Sequence, residues 1–240
     1  MFFSRQARGL VFVALLGVMA GACSGGNGTT QDAAPPAPAA PPAPQRPART
    51  EPARPRVVVL GDSLTAGLGL PETEAYPAVL QQKLKDAGYD WEVVNAGVSG
   101  DTSAAGLQRL EWVLDGDVRI LVLALGANDG LRGLPPAQMR ENLATIIETA
   151  QKRGIAVLLA GMEAPPNFGQ EYAVSFRRVF RDLAKQYHVV FVPFLLDHVA
   201  GIPALNQADG IHPNARGARL VADGLWPALK PMVDAAATAS

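Results

Sequence analysis

Three residues of this 240-residue chain have the types and the setting for nucleophilic chemistry. Ser63 sits in Gly61-Asp62-Ser63-Leu64, directly after the apolar run Val57-Val58-Val59-Leu60. A serine hydroxyl is a weak nucleophile and needs an adjacent base, usually a histidine that a carboxylate orients. The chain has three histidines. His188 stands at the end of a helical stretch and reads as a surface or capping residue. His198 follows Asp197, but adjacent residues on a helix point apart and do not pair. His212 lies in Asp209-Gly210-Ile211-His212-Pro213-Asn214, where the Gly210 turn can fold Asp209 back onto the imidazole three residues later. Ser63 is therefore the expected nucleophile, with Asp209 and His212 as the expected base pair.

Other chemistries fit the same residues less well. The glycines of 61–69 have neither G-x-x-x-x-G-K spacing nor a G-x-G-x-x-G run opening directly off the strand, and no lysine follows to meet a phosphate. Nucleotide binding is not expected. Thr65 stands where a G-x-S-x-G nucleophile elbow needs glycine, which argues against the α/β-hydrolase arrangement. Asp209 and His212 have no third ligand nearby in sequence, so no metal site is expected.

These residues need a scaffold, and the pattern from Arg56 onward supplies one. Short apolar runs at 57–60, 91–94, 120–125, 155–160 and 189–192 read as strands. Amphipathic stretches at about 73–87, 103–114, 136–152 and 171–187 read as helices, and a last helix runs from 214 or 215 toward 233 with Pro227 as a kink or break. Five buried strands alternating with helices argue for a parallel sheet covered on both faces. About 180 residues are ample for one core. Three polar, Gly-bearing turns follow strands: Gly61-Asp62-Ser63, Asn95-Ala96-Gly97 and Gly126-Ala127-Asn128-Asp129. In a parallel sheet all three emerge at the C-terminal edge, where open α/β folds place their sites.

With these blocks in order, the chain resembles the SGNH, or GDSL, hydrolases. Gly-Asp-Ser-Leu at 61–64, Gly97 within Asn-Ala-Gly, Gly-x-Asn-Asp at 126–129 and Asp-x-x-His at 209–212 carry the resemblance across 56–235. The longer stretches around them, Gly-Val-Ser-Gly-Asp-Thr-Ser and Leu-Gly-Ala-Asn-Asp-Gly-Leu-Arg-Gly among them, are similar to the subgroup of thioesterases, lysophospholipases and arylesterases. The resemblance implies a single three-layer α/β/α domain with a five-stranded parallel, flavodoxin-like sheet. It implies acyl-ester or thioester hydrolysis through an acyl-enzyme on Ser63, with His212 as base and acid and Asp209 orienting it. It further implies an oxyanion hole from the backbone N–H of Ser63, the backbone N–H of Gly97 and the Asn128 amide, and neither cofactor nor metal. A loop like 129–135 covers the acyl site in that subgroup.

The substrate is a small acyl ester or a lipid by this reading. Leu131, Leu134, Met162, Pro165, Phe168 and Ile211 are candidates to line an apolar acyl channel, and each is equally compatible with core or loop packing. Two other functions compete: an O-acetyl esterase acting on cell-wall or other carbohydrate, and a non-catalytic hydrolase-like binding lipoprotein.

The N-terminal quarter reads as an address and a spacer. Arg5 and Arg8 precede an apolar run at 9–20, within signal-peptide range and short of the roughly 18 residues a spanning helix needs. Ala20-Gly21-Ala22 forms an A-x-A cleavage site. Followed by Cys23, the only cysteine, it also resembles a bacterial lipobox, although Ala20 stands where that motif prefers leucine. Residues 1–22 are thus an expected signal peptide and Cys23 an expected lipidation site, giving a membrane contact and an exported, periplasmic or cell-envelope location. Between positions 35 and 55, 15 of 21 residues are Pro or Ala, a composition that cannot bury a core and favours extended backbone. Residues 23–55 are an expected tether and 56–240 the hydrolase domain. Residues 1–55 carry five basic and two acidic side chains, and 56–240 carry 16 and 20. The net charge of −1 thus sums a basic leader and a mildly acidic domain, with no basic footprint for nucleic acid.

Overall fold

Runs of valine, isoleucine and leucine form strands where both faces of a sheet are buried. In the computed structural model, which describes residues 54–238, these are β1 (Arg56–Gly61), β2 (Glu92–Gly97), β3 (Val118–Ala124), β4 (Ala156–Ala160) and β5 (Val190–Val192). The expected signal segment, Cys23 and all but the last two residues of the expected tether lie outside the described residues. All neighbouring strands pair in parallel in the order β2-β1-β3-β4-β5. This is the flavodoxin-like order, whose topological switch point falls between β1 and β3. The register sets Gly61 level with Gly97 on one side and with Ala124 on the other. The ends of the three strands that carry the polar turns therefore lie side by side.

The helices are α1 (Ser63–Ala66), α2 (Tyr76–Asp86), α3 (Ser103–Gln108), α4 (Leu110–Val113), α5 (Ala127–Leu131), α6 (Pro136–Lys152), α7 (Gln170–Tyr187) and α8 (Ala215–Thr238). α6 packs with α3 and α7, and α2 packs with α8, so a helical layer covers each face of the sheet. The pattern of α6 shows why. Met139, Leu143, Ile146, Ile147 and Ala150 recur at helical spacing on one stripe and are buried, and Pro136 starts the helix where a missing N–H costs nothing. Among the described residues no helix is long and apolar enough to cross a membrane.

Three local expectations are corrected. The helix expected over 73–87 begins only at Tyr76, after a 3₁₀ turn at Glu72–Glu74, because Ala75 is extended ahead of the Tyr76-Pro77 pair. The helix expected over 103–114 is interrupted at Arg109, whose backbone (φ −101°, ψ 5°) leaves helical geometry between α3 and α4. Pro227 does not end α8, which continues past it to Thr238, and a second proline, Pro231, lies farther along the same helix. Both prolines face solvent, so the carbonyls they leave without a helical partner can meet water. The opposite face buries Val221, Ala222, Leu225, Leu229 and Val233, and that burial keeps the helix continuous through both.

Candidate active site

The site is assembled from the turns that leave the C-terminal edge of the sheet. After β1 the chain turns directly into α1, with Asp62 as its N-cap accepting from the Leu64 N–H at 3.0 Å and Ser63 as its first residue. α1 crosses close over the end of β2, and Gly97 makes this possible, because a Cβ there would collide with the backbone of Thr65 and Ala66. Ser63 is thus presented at the sheet edge by a tight strand-to-helix turn.

His212 arrives from the other end of the chain, just before α8. Asp209 folds back on it through an Asx-type turn, its Oδ1 accepting the backbone N–H groups of Ile211 (2.9 Å) and His212 (3.0 Å). Its other oxygen, Oδ2, accepts from His212 Nδ1 at 2.7 Å, and His212 Nε2 lies 2.9 Å from Ser63 Oγ. The two backbone N–H groups, followed by the imidazole N–H, hold the Asp209 carboxyl down at a pKa of about 2. An ionised carboxylate can only accept, so Nδ1 carries the ring proton and Nε2 is left as acceptor for the serine hydroxyl. Such a chain can deprotonate Ser63 as it attacks and return the proton to a leaving group.

Asn128 comes from the loop after β3, on the other side of the switch point. Its Nδ2 donates to the Asp101 carbonyl at 3.0 Å and to Asp62 Oδ2 at 3.3 Å. The next residue, Asp129, is buried and anchors that loop to α3 by accepting the Ser103 N–H (2.8 Å) and the Ser103 hydroxyl (2.6 Å). Asn142 on α6 donates to the same hydroxyl, so the Asn128 loop rests on a fully paired polar network.

Gly97 requires a correction. Its N–H donates to the Asn95 side chain at 3.0 Å, and it borders a groove behind the sheet edge with Val58 and Trp112 instead of the cleft that holds Ser63. The turn after β2 comes later than expected, at Val98–Asp101, closed by Asp101 N–H to Val98 C=O at 3.1 Å. The glycine in the cleft is Gly100, at φ +88° in that turn. Among the described residues neither the Gly100 N–H nor the Ser63 N–H has a hydrogen-bond partner. The Ser99-Gly100-Asp101 run was the available sequence signal for a turn here.

An open cleft of about 830 Å³ runs over Ser63, Asn128 and His212. Of the expected channel residues, Leu131, Met162, Pro165 and Ile211 line it. Leu134 and Phe168 do not. Phe168 stacks on Tyr172 with ring centroids 5.3 Å apart, and the Tyr172 hydroxyl donates to the Leu134 carbonyl, so both residues buttress the 129–135 loop from outside the cleft. Sequence reading missed Leu68, Phe194, Leu196 and Ala200, which complete the apolar wall from the turn after α1 and the loop after β5. Among the described residues no group of three or more His, Cys, Asp and Glu side chains is disposed to hold a metal ion.

Asp62 is only 1 % exposed, and burial pushes its carboxyl up to about 6 despite the Leu64 N–H, the His212 charge and the Asn128 amide. Because the folded-state value lies above the ordinary 3.8, the unfolded chain sheds this proton first. The contribution of Asp62 to stability therefore worsens as pH rises from about 4 to about 6 and is level beyond that, by an amount of the order of a few kcal/mol. Asp62→Asn removes the titration. Its Tm relative to wild type is expected to climb between pH 4 and pH 7, and a constant difference across that range would contradict the buried-carboxylate account.

Residues 59–220 match the model of the GDSL-like Lipase/Acylhydrolase family. The chain is 45% identical over 178 residues to Esterase TesA of Pseudomonas aeruginosa, covering 74% of this chain and 89% of that protein. It is 37% identical over 179 residues to Thioesterase 1/protease 1/lysophospholipase L1 of Escherichia coli, covering 74% and 85%. A crystal structure of TesA superimposes with a TM-score of 0.71 at 45% identity, covering 75% of this chain and 99% of that one. The chain belongs to the GDSL-like lipase/acylhydrolase family and is a serine esterase.

Proposed function

We propose that the chemistry runs through Ser63, His212 and Asp209, and the observation that carries this is the unbroken hydrogen-bonded chain from Asp209 through His212 to Ser63 Oγ at the floor of the cleft. Ser63 Oγ attacks the acyl carbonyl as its proton passes to His212 Nε2. The tetrahedral intermediate collapses, His212 returns the proton to the departing alcohol or thiol, and the acyl group stays on Ser63. Water then repeats the sequence and releases the carboxylic acid. Asp209 keeps the imidazole in the accepting tautomer and stabilises it once charged. The oxyanion takes up the unused N–H groups of Ser63 and Gly100, and it replaces the longer of the two Asn128 bonds, the one to Asp62.

The mostly apolar cleft favours an acyl chain over a bare acetyl group. A p-nitrophenyl ester series from acetate to palmitate, run on wild type and Ser63→Ala, is expected to show turnover that peaks beyond acetate and vanishes in the variant. A sharp acetate optimum would move the reading to an O-acetyl esterase, and no turnover at any length would move it to a binding protein.

The N-terminal residues support export, with residues 1–22 as a signal peptide, delivery to the periplasm or cell envelope and attachment of the domain to a membrane through lipidated Cys23 and the Pro/Ala-rich tether. Acyl chains on one cysteine of a processed bacterial lipoprotein exceed the two-signal threshold for stable anchoring. The mature protein is expected to partition into detergent, and Cys23→Ser to leave it in the aqueous phase. Identical partitioning of the two forms would remove the anchor.

A further inference from the structure

The three turns that carry Ser63, Gly100 and Asn128 come from different parts of the sequence, and one side chain outside the cleft fastens two of them. Arg109 occupies the break between α3 and α4. Its Nε donates to Asp101 Oδ2 at 2.7 Å, and its Nη2 donates to the Gly61 carbonyl at 3.0 Å. Gly61 is the last residue of β1 and its carbonyl also accepts the Val98 N–H at 3.1 Å, where the next turn opens. Asp101 closes that turn, and its own carbonyl accepts Asn128 Nδ2. The ion pair is largely dry, with the two side chains 18% and 13% exposed, and Arg109 Nη1 is buried with no hydrogen-bond partner among the described residues. An interrupted helix and a stranded guanidinium nitrogen are both unfavourable, and local costs of this kind persist where the surrounding structure imposes them.

We propose that Arg109 is a positioning residue of the esterase, its guanidinium holding the end of β1 and the Val98–Asp101 turn in the relative placement that aims the Ser63 and Gly100 N–H groups and the Asn128 amide at one point. This rests on the oxyanion arrangement proposed above. The fork geometry matters: two differently directed donors of one rigid plane meet a carboxylate and a carbonyl in fixed directions, a placement the single rotatable ammonium of lysine reproduces only in part. Oxyanion donors act on charge that exists only in the transition state, so a displaced hole lowers kcat and leaves substrate binding largely intact.

The test uses Arg109→Met, Arg109→Lys and Asp101→Asn in the full chain, with active sites counted by covalent titration with a phosphonate ester and kcat and KM measured on p-nitrophenyl butyrate. Expected for Arg109→Met is a kcat per titrated site lower by about 10²-fold with KM within about 3-fold of wild type. Arg109→Lys is expected to recover part of that loss, and Asp101→Asn to fall between wild type and Arg109→Met. A kcat per titrated site within about 2-fold of wild type in all three variants, or a loss confined to KM, would overturn the proposal. A lowered Tm with unchanged kcat per site would also overturn it, because Arg109 would then serve the fold alone. If Arg109→Met does not fold, the other two variants decide by the same criterion. A wild type that fails to titrate on Ser63 would instead refute the underlying mechanism.

Discussion

Ser63→Ala is expected to lower kcat for every ester the enzyme accepts by about 10⁴- to 10⁶-fold while leaving the fold intact. The size follows from the division of labour at the site. In the proposed mechanism His212 and Asp209 have no role without a hydroxyl to deprotonate, so their contributions disappear together with that of Ser63 instead of adding to what remains. What survives is the cleft and the donors around it, which still bind ester and offer water some stabilisation. KM is expected to change little for the same reason. Structurally the substitution is mild: Ser63 opens α1, where alanine is a good helix former, and Asp62 still caps the Leu64 N–H. The Ser63 hydroxyl donates only to His212, so its removal strands no other buried group. Far-ultraviolet circular dichroism and Tm should match wild type, and the phosphonate should no longer label the protein. Retention of more than about a thousandth of wild-type kcat in protein free of contaminating esterase would remove Ser63 from the role of nucleophile.

The sheet was legible because its signal is redundant. Each central strand is a run of valine, isoleucine and leucine, each run ends at a glycine or a polar turn, and amphipathic stretches of the right length lie between. The expected five-stranded parallel sheet is the observed one. Reading weakened at the edge. β2 has a neighbour on one side only and is half-buried, so Asn95 is tolerated inside it, and the strand runs three residues past its apolar core. That extension converts the expected turn at 95–97 into strand and moves the turn to Val98–Asp101, which is why Gly97 looked like the glycine beside the nucleophile and Gly100 is the one in the cleft.

The remaining misses share a physical cause, which is that long-range contacts overrule local pattern. Arg109 lies in a sequence that is helical by periodicity, yet its guanidinium is drawn to Gly61 and Asp101 and the helix breaks there. Phe168 and Leu134 are apolar and close in sequence to the cleft, yet the aromatic ladder Phe168, Tyr172, Phe176 and Phe180 claims the first and the Tyr172 hydroxyl fixes the backbone of the second. Pro227 breaks a helix by rule but faces water in this one, where its missing donor is harmless. Ser63, Asp209 and His212 could be grouped from sequence because reactivity restricts a nucleophile and its base to few residue types and three histidines leave few pairings to consider, and the fold joins the three in one hydrogen-bonded chain.

Asp209→Asn separates orientation of the base from architecture of the turn, and it is expected to lower kcat by about 10⁴-fold with a Tm close to wild type. Asp209 has two jobs carried by two different oxygens. Oδ1 accepts the Ile211 and His212 N–H groups and shapes the turn, whereas Oδ2 accepts from the imidazole. An asparagine carboxamide keeps an oxygen for the backbone pair, so the turn survives. Its amino group then faces His212 Nδ1, and two donors cannot share one bond. The ring must carry its proton on Nε2 instead, where it points at Ser63 Oγ and can no longer accept. Asp209→Ala removes both functions and is expected to lower Tm as well as kcat, so the two variants together distinguish tautomer control from loss of structure. The pH dependence follows from the same contacts. With its carboxyl held down at about 2, below the ordinary 3.8, Asp209 stabilises the folded turn at every pH above about 4 and loses that contribution only as pH falls through about 2. The turn should therefore stay intact in mild acid, where the Asp209 carboxylate is still ionised. Asp209→Asn retaining more than about a tenth of wild-type kcat would show that His212 holds its working tautomer without Asp209.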